Sequence, residues 1–173
     1  MPEPRSGRPA LNEPRLSALY DYWQAKRAGR AMPARADIDP LEMKSWLGHL
    51  LLIEITGPGR FLYRLYGTAF VDSFGVDMTG KAVDELAPEL QERVRGDYEA
   101  VWRSGQPRAR LYTASFEAQP LGASRPAQAE VATWERLVLP LSDGKGAVVM
   151  LLVGAYPLAD LQPSTPMVPA SAR

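Results

Sequence analysis

The chain has 173 residues, in which 20 lysines and arginines balance 20 aspartates and glutamates, and it contains no cysteine. This length fits one domain with room for tails. The balanced charge lacks the positive excess that binds a phosphate backbone, so we expect no nucleic-acid partner. Without cysteine, disulfides, thiolate nucleophiles and cysteine-ligated zinc are excluded. The apolar runs are too short to span a bilayer and no signal peptide opens the chain, which predicts a cytoplasmic protein without a membrane partner.

Both ends differ in composition from the middle of the chain. Residues 1–14 and 161–173 are rich in Pro, Ser, Ala and Arg and have no periodic apolar face. Such segments do not bury enough apolar surface to fold by themselves. We therefore predict a flexible N-terminal tail (1–14), a single domain (15–160) and a flexible Pro-rich C-terminal tail (161–173).

The domain begins with a predicted amphipathic helix. Its apolar residues recur with the spacing of one helical face: Leu16, Leu19, Tyr20 and Trp23. Asn12 or Glu13 is placed to cap this helix and Gly29 to end it. In the "PARADIDP" stretch that follows, Pro33 and Pro40 restrict the residues before them, which predicts an extended segment. Asp39 is then predicted to cap a short helix, "PLEMKSWLG", that starts at Pro40.

The remaining elements are predicted from alternation, helical spacing and turn residues. They are a hairpin, "HLLLIEIT" and "RFLYRLY", around "GPG"; a short helix, "TAFVDSFG"; a helical turn within "DMTGKAVDELAP"; a long helix from Pro88 to about Ser104; and the strands "RARLYTASFEA", "EVATWERLVLPLS" and "GAVVMLLVGAY". The loop "QPLGASRPAQA" has a composition that favours mobility.

This order resembles that of a PAS domain. The likeness is carried by "YRLYGTAFVDSFGVDMTGKAVDEL" and by the closing "LVLPLSDGKGAVVMLLVGAY". More narrowly, "YDYWQAKRAGRAMPARADIDP" followed by "LLLIEI" and "RLYGT" resembles the small stand-alone proteobacterial family known as the fifth PAS family of domain collections. The resemblance implies an α+β fold, with a five-stranded antiparallel sheet, helices on one face and an additional N-terminal amphipathic helix.

The resemblance also implies a sensory or signalling role. PAS domains hold a small molecule between sheet and helices, or dimerise, and pass a conformational change to a partner. No output domain follows the predicted domain, so we expect the signal to leave through a non-covalent partner protein or through a dimer. In PAS-like proteins such an N-terminal helix packs on the open sheet face or on a second subunit. We therefore expect a homodimer or partner contact that involves Leu16, Leu19, Tyr20 and Trp23.

The cofactors known from PAS domains require particular residues, and some of these residues are absent from the sequence. A photoactive flavin needs a cysteine for its adduct, and the chain has none. The single histidine, His49, lies at a helix–strand junction and not on the long helix, which disfavours an axial haem ligand. Non-covalent flavin remains open, although no glycine-rich phosphate loop supports it. We predict no metal site, and the identity of any cofactor is unknown at this stage.

The ligand site is predicted from aromatic residues and one arginine: Arg64, Tyr66, Phe70, Phe74, Tyr98, Trp102, Tyr112 and Trp134. Aromatic residues at such spacing also form a core without a ligand, and that is the simpler interpretation. Strict alternation places Arg64 with Leu62 and Tyr66 on one face of its strand. The "ARADID" segment is expected to be structural through its charged residues Arg35, Asp37 and Asp39. Arg64 is expected either to form an ion pair with Asp37 or Asp39 or to bind an anionic ligand.

Three functions remain open on the sequence alone. The first is a sensor that binds a small molecule or partner protein. The second is an interaction or dimerisation module without a ligand. The third is an enzyme, which we do not expect because the chain has one histidine, no cysteine and no recognisable arrangement of a nucleophile or metal ligands.

Overall fold

The computed structural model describes residues 7–116 and 130–158. The predicted C-terminal tail, residues 161–173, and the predicted loop at residues 119–129 lie outside the described residues. The helices and strands are α1 (Pro14–Arg27), β1 (Leu50–Gly57), β2 (Arg60–Tyr66), α2 (Thr68–Phe74), α3 (Pro88–Ser104), β3 (Arg108–Phe116), β4 (Glu130–Ser142) and β5 (Val148–Pro157).

The five strands form one antiparallel sheet in the order β2-β1-β5-β4-β3. Antiparallel neighbours allow the short β1–β2 and β4–β5 connections that the turn residues predicted. At the outer side of β2, the backbone N–H of Tyr63 donates to Lys81 and that of Gly80 donates to Tyr63. Residues 80–82 therefore cover this edge of the sheet. The predicted five-stranded α+β fold is confirmed.

The sheet has an apolar core on each face. One core lies beneath α2 and α3 and includes Ile53, Phe61 and Val153. The other lies beneath α1 and includes Leu50 and Leu152. Because successive side chains of a strand point to opposite faces, the nearly continuous apolar sequence of β1, β4 and β5 supplies both cores. The sheet is therefore a middle layer between helices.

Helix α1 packs on the sheet face opposite α2 and α3. Glu13 caps it by accepting from the backbone N–H of Arg15 at 3.1 Å, and Ala28 ends it in a left-handed conformation. A side chain at Gly154 would lie 2.7 Å from Leu19 and 2.8 Å from Leu16, so the helix needs glycine at this position of β5.

The predicted dimer face of α1 is instead buried inside the chain. Leu16, Leu19, Tyr20 and Trp23 are at most 5 % exposed. The indole N–H of Trp23 donates to the carbonyl of Pro140 at 2.8 Å. The expectation that these four residues form a subunit contact is corrected by this packing, because burying an apolar face on the chain's own sheet leaves it unavailable to a partner.

The segment before β1 differs from its prediction. Arg35–Asp37 is a turn of 3-10 helix and not extended chain, and Pro40 to Trp46 is a series of turns and not an α-helix. Its backbone bonds join residues three apart, as from Glu42 to Asp39. The Asp39 carboxylate still accepts from the N–H of Leu41 at 2.8 Å. An aspartate that accepts from the N–H two residues later occurs both at the start of a helix and in an isolated tight turn, so the sequence signal is the same for both.

The end of the predicted N-terminal tail is tied to the sheet. The backbone N–H groups of Asn12 and Glu13 donate to the buried Glu135 carboxylate at 2.7 to 2.9 Å. Glu135 is 1 % exposed. The folded part thus begins before residue 15, because a buried carboxylate on β4 needs these donors.

The central helices have the predicted bounds. Helix α2 ends at Gly75 and α3 ends at Gly105, each glycine in the left-handed conformation at φ 71° and 64°. The predicted extra turn is a 3-10 helix at Val83–Glu85. These elements form the wall of the candidate site.

Candidate functional site

An aromatic cavity lies between the sheet and helices α2 and α3. Its volume is about 40 Å³, which is room for roughly three water molecules. The lining residues are Leu51, Tyr63, Tyr66, Phe70, Phe74, Leu86, Leu90, Arg93, Val94, Tyr98, Tyr112, Arg136 and Ala155. The cavity therefore combines an apolar wall with two arginines and several tyrosine hydroxyls, a composition typical of small-molecule sites.

The structure brings five of the eight predicted ligand residues to this cavity: Tyr66, Phe70, Phe74, Tyr98 and Tyr112. Trp134 is buried behind them, with its ring 6.0 Å from Phe70 and 6.3 Å from Phe74. Trp102 packs at the margin of the same core. Neither tryptophan lines the cavity. The aromatic spacing thus predicted residues that line one cavity, but it did not separate lining residues from supporting ones.

Arg64 lies away from the cavity. It forms an ion pair with Glu54 on the neighbouring strand, and its side chain is 52 % exposed. Asp37 instead pairs with Arg30 at 2.7 Å, and Arg35 donates to Ile38 within its own segment. The predicted ion pair between Arg64 and Asp37 or Asp39 is therefore absent from the ion pairs of the described chain. The predicted position of Arg64 at the pocket is corrected as well.

A β-bulge explains the error at Arg64. Tyr63 lies opposite Ile53 and Leu65 lies opposite Leu52, so Arg64 has no residue opposite it. An extra residue reverses the alternation of the strand beyond it. Tyr66 consequently lies on the cavity face together with Tyr63, whereas strict alternation places it on the same face as Arg64.

A buried carboxylate at one end of the cavity gathers three arginines. Asp97 of α3 is 2 % exposed. Its Oδ1 atom lies 3.0 Å from the Nε atoms of both Arg108 and Arg110 on β3, and its Oδ2 atom accepts from Arg136 on β4. These ion pairs join α3 to the edge of the sheet beside the cavity.

Arg136 is the buried arginine of this group. Its side chain is 5 % exposed. The guanidinium carbon lies 4.9 Å from the ring centre of Tyr112 and 6.0 Å from that of Tyr98, within the range of a cation–π contact. Its Nη2 atom also donates to the carbonyl of Arg93 at 3.1 Å. Its Nε atom has no hydrogen-bond partner among the described residues.

The electrostatics of the site keep its groups in fixed protonation states. Burial raises the pKa of Tyr112 to about 12 and raises the pKa values of Tyr66 and Tyr98. Burial opposes the charge of Arg136, but Tyr98, Tyr112 and Asp97 outweigh it, so the pKa of this guanidinium is raised. Near neutral pH the tyrosines remain hydroxyl donors and Arg136 remains a cation.

Two clefts adjoin the cavity. One, of about 250 Å³, shares Tyr66, Phe74, Leu86 and Leu90 with it. The other, of about 270 Å³, lies over β3 and β4 and shares Arg93, Tyr112 and Arg136. These shared side chains place both clefts directly beside the cavity, so side-chain movement there would enlarge the cavity toward either cleft.

Other site types find less support in the described residues. His49 stacks on Tyr156 at 4.1 Å between ring centres, and not at the cavity. Within residues 7–116 and 130–158, no group of three or more His, Asp or Glu side chains is arranged to hold a metal ion. No helix in the described part of the chain combines the length and apolarity that a membrane span requires.

The charged residues beside the cavity were not among the predicted site residues. Asp97 occupies the apolar face of α3 beside Tyr98 and Val101, while Arg136 interrupts the apolar run of β4. A charged residue at a core position indicates a buried partner. That signal was available in the sequence, but the pairing of α3 with β3 and β4 depends on the tertiary fold.

Comparison with known proteins identifies the family. A family model described as PAS domain matches residues 11–156, and the chain belongs to that family. No match was found among curated proteins. The structure is similar to the PAS domain of BvgS from Bordetella pertussis, with 15 % identity, a TM-score of 0.52 and coverage of 70 % of this chain and 84 % of that one.

Two further solved structures have lower scores. The PAS domain of a protein from Colwellia psychrerythraea shares 10 % identity with a TM-score of 0.45, covering 69 % of this chain and 98 % of that one. A light-oxygen-voltage domain from a study of a flavin analogue shares 14 % identity with a TM-score of 0.47, covering 69 % and 84 %. The family and the fold support a sensory signalling module.

Proposed function

We propose that the chain is a sensory module that binds a small molecule between its sheet and helices α2 and α3 and transmits the change non-covalently to a partner protein. The observation that carries this proposal is the aromatic cavity, whose wall includes a buried arginine with an Nε atom that no described residue accepts from. A core selected for packing alone does not gain from such an atom, because a buried unsatisfied donor costs free energy. A ligand that accepts from it removes that cost.

The size of the cavity sets a condition on the proposal. About 40 Å³ is smaller than most ligands, so binding must displace the side chains between the cavity and its clefts. Tyr66, Phe74 and Leu90 stand at one such boundary. Binding that moves them also moves α2 and α3, which gives the ligand a structural effect to transmit.

Native mass spectrometry of the full chain, purified without refolding, tests the proposal. We expect an additional small-molecule mass that dissociates on activation. Leu90→Trp should fill the cavity and remove this mass, whereas Leu41→Trp, at a 70 % exposed position on the other side of the sheet, should retain it. A wild-type chain without bound mass, combined with increased stability of Leu90→Trp, would show a core that is merely underpacked.

The second candidate is an interaction or dimerisation module without a ligand, and the small cavity volume favours it. Its contact surface would differ from the buried face of α1. Leu111 of β3 is 47 % exposed and offers one apolar position on the sheet edge. Native mass spectrometry distinguishes the candidates, because a module without a ligand carries no bound small-molecule mass. The cytoplasmic location and the homodimer predicted from the sequence stay predictions.

A further inference from the structure

Among the described residues, the lining of the cleft beside the cavity contains three arginines and no carboxylate. Arg93 from α3, Arg110 from β3 and Arg136 from β4 line it together with Leu111, Tyr112 and Thr113. Arg108 joins this group through Asp97. The cleft therefore collects cationic side chains from three elements at the entrance to an apolar cavity.

Asp97 is the carboxylate that Arg108, Arg110 and Arg136 share. Both of its oxygens are already used, one by Arg108 and Arg110 and the other by Arg136. Arg93 forms none of the ion pairs found in the described residues, and its Nη1 atom donates to the carbonyl of Thr113 at 2.8 Å. Among the described residues, four guanidinium groups thus accompany the Asp97 carboxylate; Arg136 is buried, whereas Arg93, Arg108 and Arg110 are exposed. Solvent screens part of their repulsion, and an anion bound between them would offset the rest.

The Nε atom of Arg136, which has no hydrogen-bond partner in the described part of the chain, is a second and independent sign of a ligand. Arg136 is buried and lines both the cavity and the cleft. An arginine has a planar fork of donors that matches carboxylate oxygens. Its Nη2 atom already donates to Asp97 and to the carbonyl of Arg93, so Nε, which has no partner among the described residues, offers one donor to a ligand oxygen.

We propose that the ligand is an organic carboxylate with a short apolar tail. This inference rests on the proposed function and specifies its ligand. The carboxylate lies in the cleft with Arg93, Arg110 and Arg136, and the tail enters the cavity between Tyr66, Phe70 and Leu90. An inorganic anion would satisfy the arginines but leave the apolar cavity unused, whereas an uncharged apolar ligand would leave the cationic charge unbalanced.

Calorimetric titration of the full chain with three probes tests both parts of this inference. Hexanoate has the charge and the tail, hexan-1-ol has the tail without the charge, and inorganic phosphate has charge without the tail. We expect hexanoate to bind at least about tenfold more tightly than either other probe, because hydrogen bonds to charged groups contribute more than neutral ones.

Two variants locate the binding. Arg93→Gln/Arg110→Gln should weaken hexanoate at least about tenfold, since it removes two cations while Arg136 and Asp97 remain to hold α3. Arg103→Gln removes a charge from the same helix at a 72 % exposed side chain that pairs with Glu99, and it should bind hexanoate like the wild type. Thermal unfolding without probe establishes that each variant is folded.

The outcomes separate this inference from the proposed function. Equal binding of hexan-1-ol and hexanoate, unaffected by the double variant, would overturn the carboxylate and leave a sensor of neutral ligands. Phosphate binding as tightly as hexanoate would overturn the apolar tail. No heat with any probe would overturn the inference, while the mass-spectrometric test would still decide the proposed function separately.

Discussion

Asp97 is the residue on which the charged side of the site depends. It is buried, and it accepts from arginines on two strands. Without it, Arg136 would keep its charge in the core with only a backbone carbonyl as acceptor. Removing one partner of a buried ion pair costs much more than removing an exposed pair, because the remaining charge stays desolvated.

Asp97→Asn should therefore lower the free energy of unfolding by about 3 kcal/mol, measured by urea denaturation. Asp84→Asn is the matched control, since Asp84 pairs with Arg95 through a carboxylate that is 64 % exposed and an exposed pair contributes about 1 kcal/mol or less. Equal losses in the two variants would contradict the structural importance of Asp97. Added phosphate should restore part of the loss in Asp97→Asn alone, because an anion replaces the missing carboxylate.

His49 makes the stability of the fold depend on pH. Burial, followed by the charge of Arg15, lowers the pKa of His49 below its ordinary 6.5, with Glu13 opposing the shift. The unfolded chain therefore binds the proton more readily than the folded chain, and stability is lost as the pH falls below 6.5 toward the folded pKa. The pKa of Glu13 is lowered from 4.5, so that carboxylate titrates below this window.

The melting temperature of the wild type should therefore fall more steeply between pH 7 and about 5 than that of His49→Gln. Scanning calorimetry at several pH values measures this slope. The substitution also removes the stacking on Tyr156, which lowers stability at every pH, so the comparison uses the slopes. Parallel slopes would mean that His49 is protonated equally in both states.

At the scale of the elements, the sequence predicts the presence and type of each helix or strand better than it predicts what that element packs against. The bounds of α3 and the five strands follow from local signals such as Gly105 and the "SDG" turn. The turns at residues 40–46 were predicted as a helix, because an aspartate before a proline starts a turn and a helix alike. The bulge at Arg64 depends on how β2 pairs with β1, and the sequence of β2 alone does not predict this pairing.

Asp39→Ala remains a test of the segment before β1. The carboxylate accepts from the N–H of Leu41, so its loss should lower the free energy of unfolding by about 1 kcal/mol. Chemical denaturation measures the change. Asp39→Asn is the control, because an asparagine oxygen accepts the same bond and should retain most of the stability. Unchanged stability of the alanine variant would show that the bond is dispensable.

Helix α1 is an element that was predicted correctly but with the wrong packing partner. Its apolar face was predicted correctly, but only the tertiary structure shows that the second face of the sheet covers it. Trp23→Ala should lower the free energy of unfolding by about 3–5 kcal/mol, because Trp23 is 1 % exposed and its removal leaves a cavity.

Denaturation and light scattering together distinguish this packing from a subunit contact. Trp46→Ala is a suitable comparison, since Trp46 packs only at the margin of the same core and should cost less. Loss of a dimer without loss of chain stability in Trp23→Ala would contradict the packing of α1 on its own sheet.

At the scale of the whole molecule, β4 connects the two faces of the sheet. Glu135 and Arg136 are consecutive residues whose side chains point to opposite faces of the sheet. Glu135 accepts from the backbone before α1, and Arg136 lines the cavity and pairs with Asp97 of α3. A ligand that moved Arg136 would therefore act on a strand whose preceding residue, Glu135, holds the start of α1. In the proposed sensor, this arrangement would connect the ligand site with the opposite face of the sheet.

Amide chemical-shift mapping during a hexanoate titration tests the central claim, a ligand site between the sheet and helices α2 and α3, most directly. We expect the largest shifts at residues lining the cavity and its arginine cleft, among them Phe70, Arg93, Tyr112 and Arg136, with smaller shifts at Asn12 and Glu13. Saturable shifts confined to α1 and the segment before β1, with none at the cavity, would contradict the account.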